Sequence, residues 1–143
     1  FKQYVDKSFY NGTLFHRTIN NFMIQGGGFT TGLKSKPTSA SIKNEAAVGI
    51  SNKRGTIAMA RANAPDTAAS QFFINVLDNP HLDASASSYG YAVFGKVVDG
   101  IEVADQISIV PTKNIEGFQD TPVQEILINS VTETSCPAVW SNA

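Results

Sequence analysis

The amino-acid sequence predicts a mainly β protein, an antiparallel barrel that is closed or nearly closed, with one or two helices. Three observations predict this fold class. Ile and Val total 23 residues against 5 Leu, and β-branched side chains favour strands over helices. Short apolar runs alternate with turn-forming residues, as in barrels of short strands. The length of 143 residues corresponds to a single domain.

Composition and charge exclude several classes of protein. A hydrophobic content of 42% with a net charge of −1 is atypical of a disordered chain. The same near-neutral charge argues against a dedicated nucleic-acid binder, which carries a basic surplus. No apolar run approaches the roughly 20 residues that span a bilayer, and the single cysteine, Cys136, excludes an internal disulfide and a Cys-rich zinc module. We therefore expect neither nucleic acid nor a membrane as a partner.

The chain opens on a helical pattern. Phe1, Tyr4 and Val5 lie at positions i, i+3 and i+4, which share one face of a helix. No start signal or capping residue precedes them, so we expect the C-terminal part of a helix here. Asn11-Gly12 then marks a turn.

Strands are predicted where β-branched and aromatic residues form short runs between turn signals. These runs are residues 13–17, 22–25, 56–60, 71–77, 91–98 and 125–132. The glycine run 26–28 follows the second strand without opening a helix. It indicates a bulge or a close approach of another part of the chain to the backbone.

The remaining segments are predicted to be loops, apart from one helix. Ile101, Ala104 and Ile107 recur at helical spacing, which predicts a helix around 100–108. Residues 30–55 are rich in small and polar side chains and are expected to form a long irregular connection. Further loops are expected over 61–70, 78–90 and 111–122, and a surface tail over 133–143.

The sequence contains little that indicates nucleophilic or metal-dependent catalysis. The chain has no G-x-S-x-G motif, and Cys136 lies beside Pro137, away from either histidine in the sequence. His16 and His81 have no metal-ligand spacing with any Cys, Asp or Glu. We therefore expect no metal and no cofactor.

One group of residues is more typical of a binding site. Arg17 ends a strand, and the two-residue period directs it to the face opposite His16, while Gln71 and Phe73 share a face. If these strands are neighbours, they present an apolar pocket with a few fixed polar groups, as in small-ligand and peptide sites. Its members are Arg17, Phe22, Met23, Gln25, Gln71 and Phe73. The alternative is that the aromatic residues are core and Arg17 is an ordinary surface residue.

The same residues carry a family resemblance. Phe15-His16-Arg17, followed by Phe22–Gly27, resembles the signature of the cyclophilins, the cyclosporin-type peptidyl-prolyl isomerases. Further matches in the same order are Gly55–Ala60, Ser70–Ile74 and Val93–Val97, and Lys43–Ala46 and Tyr91–Phe94 look most like the bacterial branch. The resemblance implies an isomerase domain over residues 1–132, followed by a C-terminal tail over 133–143.

The resemblance also implies roles by position. Arg17 matches the family's catalytic arginine, and Tyr91 stands at the position of its pocket histidine. The proline-pocket wall corresponds to Phe22, Met23, Phe73 and Leu82, the polar substrate contacts to Gln25 and Gln71, and the segment that binds the peptide backbone to Ala60 and Asn63. His81 replaces a tryptophan that contributes to cyclosporin binding in the family, so cyclosporin is expected to bind weakly.

The implied activity is cis-trans isomerisation of X–Pro bonds in polypeptides, which assists protein folding. Arg17 is expected to stabilise the twisted transition state over an apolar pocket that holds the proline ring. Two other classes stay open: a module or chaperone that binds proline segments with little turnover, and a barrel that binds an apolar small molecule. The presence of Arg17 favours an enzyme over a module that only binds proline segments. Gln25 and Gln71 argue against a purely apolar ligand, because their amides would be left without hydrogen-bond partners.

The family's barrel normally has eight strands, and the resemblance implies that about the first two are lacking here. The sheet edges left unpaired are then expected to be covered by residues outside this sequence or by a neighbouring chain. Residues 91–98 and 110–112 resemble periplasmic members of the family more than cytoplasmic ones, which favours the periplasm.

Overall fold

Nine strands and two helices make up the part of the chain that the computed structural model describes, residues 1–135. The helices are α1 (Lys2–Asp6) and α2 (Ile101–Ser108), which confirm the two predicted helices, and single 3-10 turns span Ala46–Val48 and Pro80–Leu82. The strands are β1 (Thr13–Ile19), β2 (Met23–Thr30), β3 (Lys34–Ser35), β4 (Thr56–Met59), β5 (Phe72–Asn75), β6 (Val93–Lys96), β7 (Thr112–Ile115), β8 (Phe118–Pro122) and β9 (Leu127–Ile128). Residues 136–143 of the expected tail, with Cys136, lie outside the described residues.

Seven of the strands form one antiparallel sheet. Their order is β6-β4-β5-β2-β1-β9, and β3 pairs with β2 beside this path. Strands β7 and β8 form a separate hairpin that lies against β1, and α2 lies against β1 and β2. Neither helix in this part of the chain is long and apolar enough to cross a membrane. The predicted fold class, mainly β with an antiparallel sheet and two helices, is confirmed.

The sheet order brings the residues of the predicted site onto neighbouring strands. Strand β2 pairs with β1 on one side, where Gln25 lies opposite Arg17, and with β5 on the other, where Gln25 lies opposite Phe73. Alternation along β5 sends Phe72 and Phe73 into two different core clusters. The strands that the sequence required to be neighbours are therefore neighbours.

The glycine run in β2 is a place of close backbone approach, as the sequence predicts. A Cβ atom on Gly27 would lie 2.8 Å from the ring of Tyr10 and 2.9 Å from the ring of Phe72, and Gly27 has a positive φ of 90°. The pairing of β1 with β2 shifts register on either side of Phe15, which lies opposite Gly26. The missing side chain lets core aromatic rings pack directly against the β2 backbone.

Three segments differ from the prediction. Residues 111–122, predicted as a loop, form the β7–β8 hairpin with Gly117 at positive φ in its turn. Strand β7 is exposed along its whole length, so it lacks the apolar alternation that reveals a strand. The strand predicted over 125–132 is paired only at Leu127–Ile128, and residues 30–55 include the two-residue strand β3.

Candidate active site

A cavity of about 180 Å³ opens between β1, β2, β5 and the loops that follow β4 and precede β6. Its apolar floor is formed by Met23 and Phe73, which are buried in one core cluster. Phe22, Leu82 and Tyr91 pack against this cluster as the walls. The rings of Phe73 and Tyr91 meet edge to face, with their centroids 5.7 Å apart. The aromatic residues are thus both part of the core and the lining of a pocket.

Arg17 and Gln25 form the polar edge of this cavity. Arg17 Nη1 donates a hydrogen bond to Gln25 Oε1 at 3.5 Å, which is the long limit for such a bond. Gln25 Nε2 donates to Gln71 Oε1 at 2.9 Å, so Gln71 holds the Gln25 amide with its oxygen toward Arg17. Within residues 1–135 the Arg17 side chain makes this one hydrogen bond, and its guanidinium therefore retains N–H donors for a ligand.

The cavity collects most of the residues expected from the sequence. Those that line it are Arg17, Phe22, Met23, Gln25, Ala60, Phe73, Leu82 and Tyr91. Gln71 instead lines a larger neighbouring cavity of about 570 Å³ and reaches the first one through its bond to Gln25. Asn63 lines neither cavity, is exposed, and accepts a hydrogen bond from Arg61 at its backbone carbonyl.

Arg61 lines the cavity and was missed by sequence reasoning. Its guanidinium carbon lies 4.3 Å from the centroid of the Tyr91 ring, which is a cation–π contact. It also donates hydrogen bonds to three backbone carbonyls, those of Gly90, Ala62 and Asn63. These contacts join the loop after β4 to the segment before β6. Because Tyr91 and Gly90 are distant from Arg61 in the sequence, no local pattern reveals the contact.

Two titratable groups next to cavity residues in the sequence have perturbed pKa values. Burial and, to a smaller extent, the charge of Arg17 lower the pKa of His16 from 6.5 to about 4. Burial opposes ionisation of Asp83, but hydrogen bonds from Ser51 and Asn52 outweigh it and hold the pKa of that carboxyl below its ordinary value. At neutral pH His16 is therefore uncharged and Asp83 is ionised.

His81 lies at the rim of the cavity, where its ring stacks on Phe22 with centroids 5.6 Å apart and planes 30° apart. Position 81 therefore carries an aromatic ring, as expected from the sequence, but the imidazole is smaller than the indole that it replaces. Within residues 1–135 no three His, Cys, Asp or Glu side chains are grouped so that they could hold a metal ion.

Comparison with known proteins connects this geometry to a family. The family model described as cyclophilin-type peptidyl-prolyl cis-trans isomerase/CLD matches residues 1–133. A peptidyl-prolyl cis-trans isomerase of Acinetobacter baylyi is 58% identical over 131 residues, which cover 92% of this chain and 70% of that protein. Peptidyl-prolyl cis-trans isomerase B of Escherichia coli is 53% identical over 135 residues, which cover 92% of this chain and 82% of that protein.

Solved structures agree with these relatives. A crystal structure of a cyclophilin-type peptidyl-prolyl cis-trans isomerase from Cryptosporidium parvum has a TM-score of 0.75 at 28% identity, covering 96% of this chain and 82% of that one. A second structure of that protein, in the presence of the dipeptide Ala-Pro, has a TM-score of 0.74 at 27% identity, covering 94% and 82%.

The fold, the cavity and these matches define an enzyme of the peptidyl-prolyl cis-trans isomerase class. The chain belongs to the cyclophilin-type family, and the relatives at 53 to 58% identity are bacterial. The family resemblance read from the sequence is confirmed.

Proposed function

We propose that Arg17 accelerates rotation of X–Pro bonds in polypeptides by stabilising the twisted transition state, while the apolar cavity holds the proline ring. The observation that carries this proposal is the place of Arg17 at the edge of that cavity, with one long hydrogen bond to Gln25. The proline ring lies between the Met23–Phe73 floor and the surrounding walls. The peptide carbonyl before the proline is then free to swing past the polar edge.

The chemistry needs no nucleophile, because no covalent bond breaks. The barrier to rotation is about 18–20 kcal/mol, since rotation sacrifices amide resonance, and uncatalysed exchange takes on the order of 10–100 s. As the bond twists, the proline nitrogen becomes pyramidal and gains a lone pair. A guanidinium N–H aimed at that lone pair forms a stronger hydrogen bond in the transition state than in either planar state, which is the condition for catalysis.

The required stabilisation is within reach of this site. Exchange in milliseconds instead of tens of seconds is an acceleration of roughly 10⁴-fold, which corresponds to about 5–6 kcal/mol. A charge-assisted hydrogen bond beside the apolar floor of the cavity supplies several kcal/mol. Fixing the ring in one orientation supplies the rest by restricting the substrate to productive geometries.

The test compares substitutions of two arginines. Arg17→Ala and Arg17→Lys remove the planar fork of donors at the cavity. Arg54→Lys removes an equivalent fork elsewhere, because Arg54 pairs with Asp105 of α2 at 2.6 Å and does not line the cavity. Isomerisation of a proline tetrapeptide is followed spectroscopically, and circular dichroism verifies the fold of each variant.

We expect kcat/KM to fall about 100-fold or more in both Arg17 variants, the size of effect seen when one transition-state donor is removed. Arg54→Lys should keep near-normal turnover. Near-normal turnover in a folded Arg17→Ala variant would contradict the proposed role. A wild-type protein that binds the peptide without accelerating exchange would instead be a proline-binding module.

We further propose that the substrates are proline-containing segments of unfolded proteins, so that the enzyme assists folding. A protein whose refolding is limited by X–Pro isomerisation supplies the readout. Catalytic amounts of the wild type should shorten its slow refolding phase, and the Arg17→Ala variant should not.

A further inference from the structure

Three buried asparagines lie next to the walls of the cavity and take no part in the chemistry proposed above. Asn52 and Asn75 are fully buried, and Asn79 is 3% exposed. Asn52 lies in the loop before β4, Asn75 ends β5, and Asn79 precedes the 3-10 turn Pro80–Leu82. Buried amides are costly to leave without hydrogen bonds, so their partners define a fixed arrangement.

The three side chains form a continuous hydrogen-bonded relay. Asn79 Nδ2 donates to Asn75 Oδ1 at 2.8 Å, and Asn75 Nδ2 donates to Asn52 Oδ1 at 3.1 Å. Asn75 Nδ2 also donates to Thr56 Oγ1 at 2.9 Å, which anchors the middle of the relay on β4. Each of the three amides therefore has its orientation set by its neighbour.

Both ends of the relay bind backbone carbonyls of the cavity walls. At one end, Asn79 Nδ2 donates to the carbonyl of Phe22 at 2.9 Å. At the other, Asn52 Nδ2 donates to the carbonyls of Leu82 at 3.3 Å and Tyr91 at 3.2 Å. One relay thus connects all three wall residues.

The Asn52 end is held by a charged group. The Asn52 backbone N–H donates to Asp83 Oδ1 at 2.7 Å. Asn52 Nδ2 lies 3.0 Å from the same oxygen, so its two hydrogens are shared among this oxygen and the two wall carbonyls. The Ser51 hydroxyl donates to Asp83 Oδ2 at 2.6 Å. Bonds to an ionised acceptor are stronger than neutral ones, so this end of the relay is the more firmly fixed.

The walls need such support because they lie outside the strands. The floor residues Met23 and Phe73 belong to β2 and β5, whose ladder bonds fix their backbones. Phe22 lies in the turn between β1 and β2, Leu82 in a 3-10 turn, and Tyr91 in the loop before β6. Backbone bonds hold them in part, from Tyr91 N–H to the Leu82 carbonyl at 2.8 Å and from Val76 N–H to the Phe22 carbonyl at 3.0 Å. In the described part of the chain, only the side-chain hydrogen bonds of the relay connect all three walls with one another.

We propose that the Asn52–Asn75–Asn79 relay positions the walls of the cavity and thereby sets the ring size that the enzyme accepts, favouring proline over its six-membered homologue. This inference rests on the proposed function, since it requires the ring to bind in this cavity. The three asparagines are positioning residues, because they act through Phe22, Leu82 and Tyr91.

The test compares two tetrapeptides that differ only in proline or pipecolic acid, whose ring has one more methylene. The relay is broken at its end by Asn79→Ala and at its middle by Asn75→Ala. The matched control is Thr13→Val, which also removes a fully buried polar group. The Thr13 hydroxyl donates to the carbonyl of Tyr10 at 2.7 Å, at the end of β1 away from Arg17.

One methylene in an apolar pocket is worth roughly 10- to 200-fold in kcat/KM, so the wild type should prefer the proline peptide by such a factor. Both asparagine variants should lower that preference about threefold or more. For the proline peptide, KM should rise by a larger factor than kcat falls, because the walls loosen while Arg17 stays in place. Thr13→Val should keep the wild-type preference.

A preference that stays at the wild-type value while both peptides lose kcat/KM in parallel overturns the inference, because the relay would then support only the fold. A wild type that fails to turn over the proline peptide is a different result. It refutes the proposed function and, with it, this inference.

If neither asparagine variant folds, the inference is tested on the wild-type protein by NMR. Side-chain amide resonances of Asn52 and Asn79 are followed by NMR as each peptide is added, with the exposed Asn114 as the reference. If the relay sets the spacing of the walls, the larger ring should displace the walls and the asparagine amides that are hydrogen-bonded to them. The resonances of these amides should therefore shift differently with the two peptides. Equal shifts with both peptides, or none, overturn the inference.

Discussion

Arg17 owes its place at the cavity to the two-residue alternation of β1. His16, its neighbour, is directed to the opposite face and is buried. There the imidazole contacts the Phe29 ring at 4.7 Å between centroids and the Phe118 ring at 6.4 Å. A register slip by one residue would exchange the two side chains. The packing around His16 therefore helps to fix the direction of Arg17.

Burial of His16 predicts a loss of stability in acid. The pKa of His16 is about 4 in the folded protein and near its ordinary 6.5 in the unfolded chain. Between these values the unfolded chain binds a proton that the folded protein does not, so the free energy of unfolding decreases as pH falls from 6.5 to 4. The full difference corresponds to about 3 kcal/mol. Urea denaturation at a series of pH values measures it.

A histidine variant isolates this contribution from those of the carboxylates. His16→Gln should abolish the part of the slope between pH 6.5 and 4 that His16 causes. Thr13→Val, a buried substitution that involves no titratable group, should leave the slope as in the wild type. A wild-type slope in His16→Gln would show that other groups cause the acid sensitivity.

His81 predicts weak inhibition by cyclosporin. Its ring covers part of Phe22 at the rim of the cavity, where a larger indole would add contact area and an N–H donor. We expect His81→Trp to bind cyclosporin roughly tenfold more tightly, about 1.4 kcal/mol, in an inhibition titration. His81→Phe is the matched variant that restores area without the donor. Wild-type affinity equal to that of His81→Trp would contradict the expected effect.

The strand pattern predicted site residues that lie in strands, and the family resemblance predicted the wall residues in the turns and loops. Gln71 and Phe73 were placed on one face by the two-residue period, and the sheet then brings Phe73 opposite Gln25. Arg61 and the relay centred on Asn75 carry no such signal. Their partners are distant in the sequence and join through loops, so only the folded chain reveals them.

At the scale of elements, β2 is the strand on which the site depends. It pairs with β1 and β5, so it carries Gln25 between Arg17 and Phe73. Its glycines allow it to occupy that central place. A side chain at Gly27 would meet aromatic rings of the core, as the distances to Tyr10 and Phe72 show.

The glycine positions predict two different penalties on substitution. Gly27→Ala combines backbone strain at φ 90° with overlap of the new Cβ against two rings, so we expect a loss of about 3 kcal/mol in the free energy of unfolding. Gly12→Ala is the matched control, because Gly12 has φ 79° but no atom within 4 Å of the added Cβ. We expect it to cost only about 1 kcal/mol, from strain alone. Equal losses in urea denaturation would show that packing at Gly27 is unimportant.

The elements predicted correctly are those with a buried face. The runs that became β1, β4 and β5 place apolar residues in the core, and both helices show apolar spacing. The β7–β8 hairpin was missed because exposed polar residues such as Thr112 and Lys113 give no apolar alternation. Its pairing is determined by the turn at Gly117 and by the packing of Phe118 on Phe29, with ring centroids 5.1 Å apart. Propensity alone does not show such contacts.

At the scale of the whole molecule, no single segment of the chain forms the cavity. Arg17 comes from β1, Gln25 from β2 and Phe73 from β5, while Leu82 and Tyr91 come from the segment between β5 and β6. The walls are tied to the sheet by the asparagine relay and by backbone bonds such as Val76 to Phe22 at 3.0 Å. The site therefore exists only when the central sheet is assembled.

This dependence predicts that activity and tertiary structure are lost in one transition. A urea series with the wild type is followed by initial isomerisation rates and by near-UV circular dichroism, to which the buried Tyr4 and Tyr10 of a different core cluster contribute. The two midpoints should coincide, since a two-state domain has no populated form without its site. Thr13→Val should move both midpoints together, whereas Asn79→Ala should lose activity at a lower urea concentration than the tyrosine signal, because its walls loosen first. Separate midpoints in the wild type would show that the cavity opens independently of the sheet.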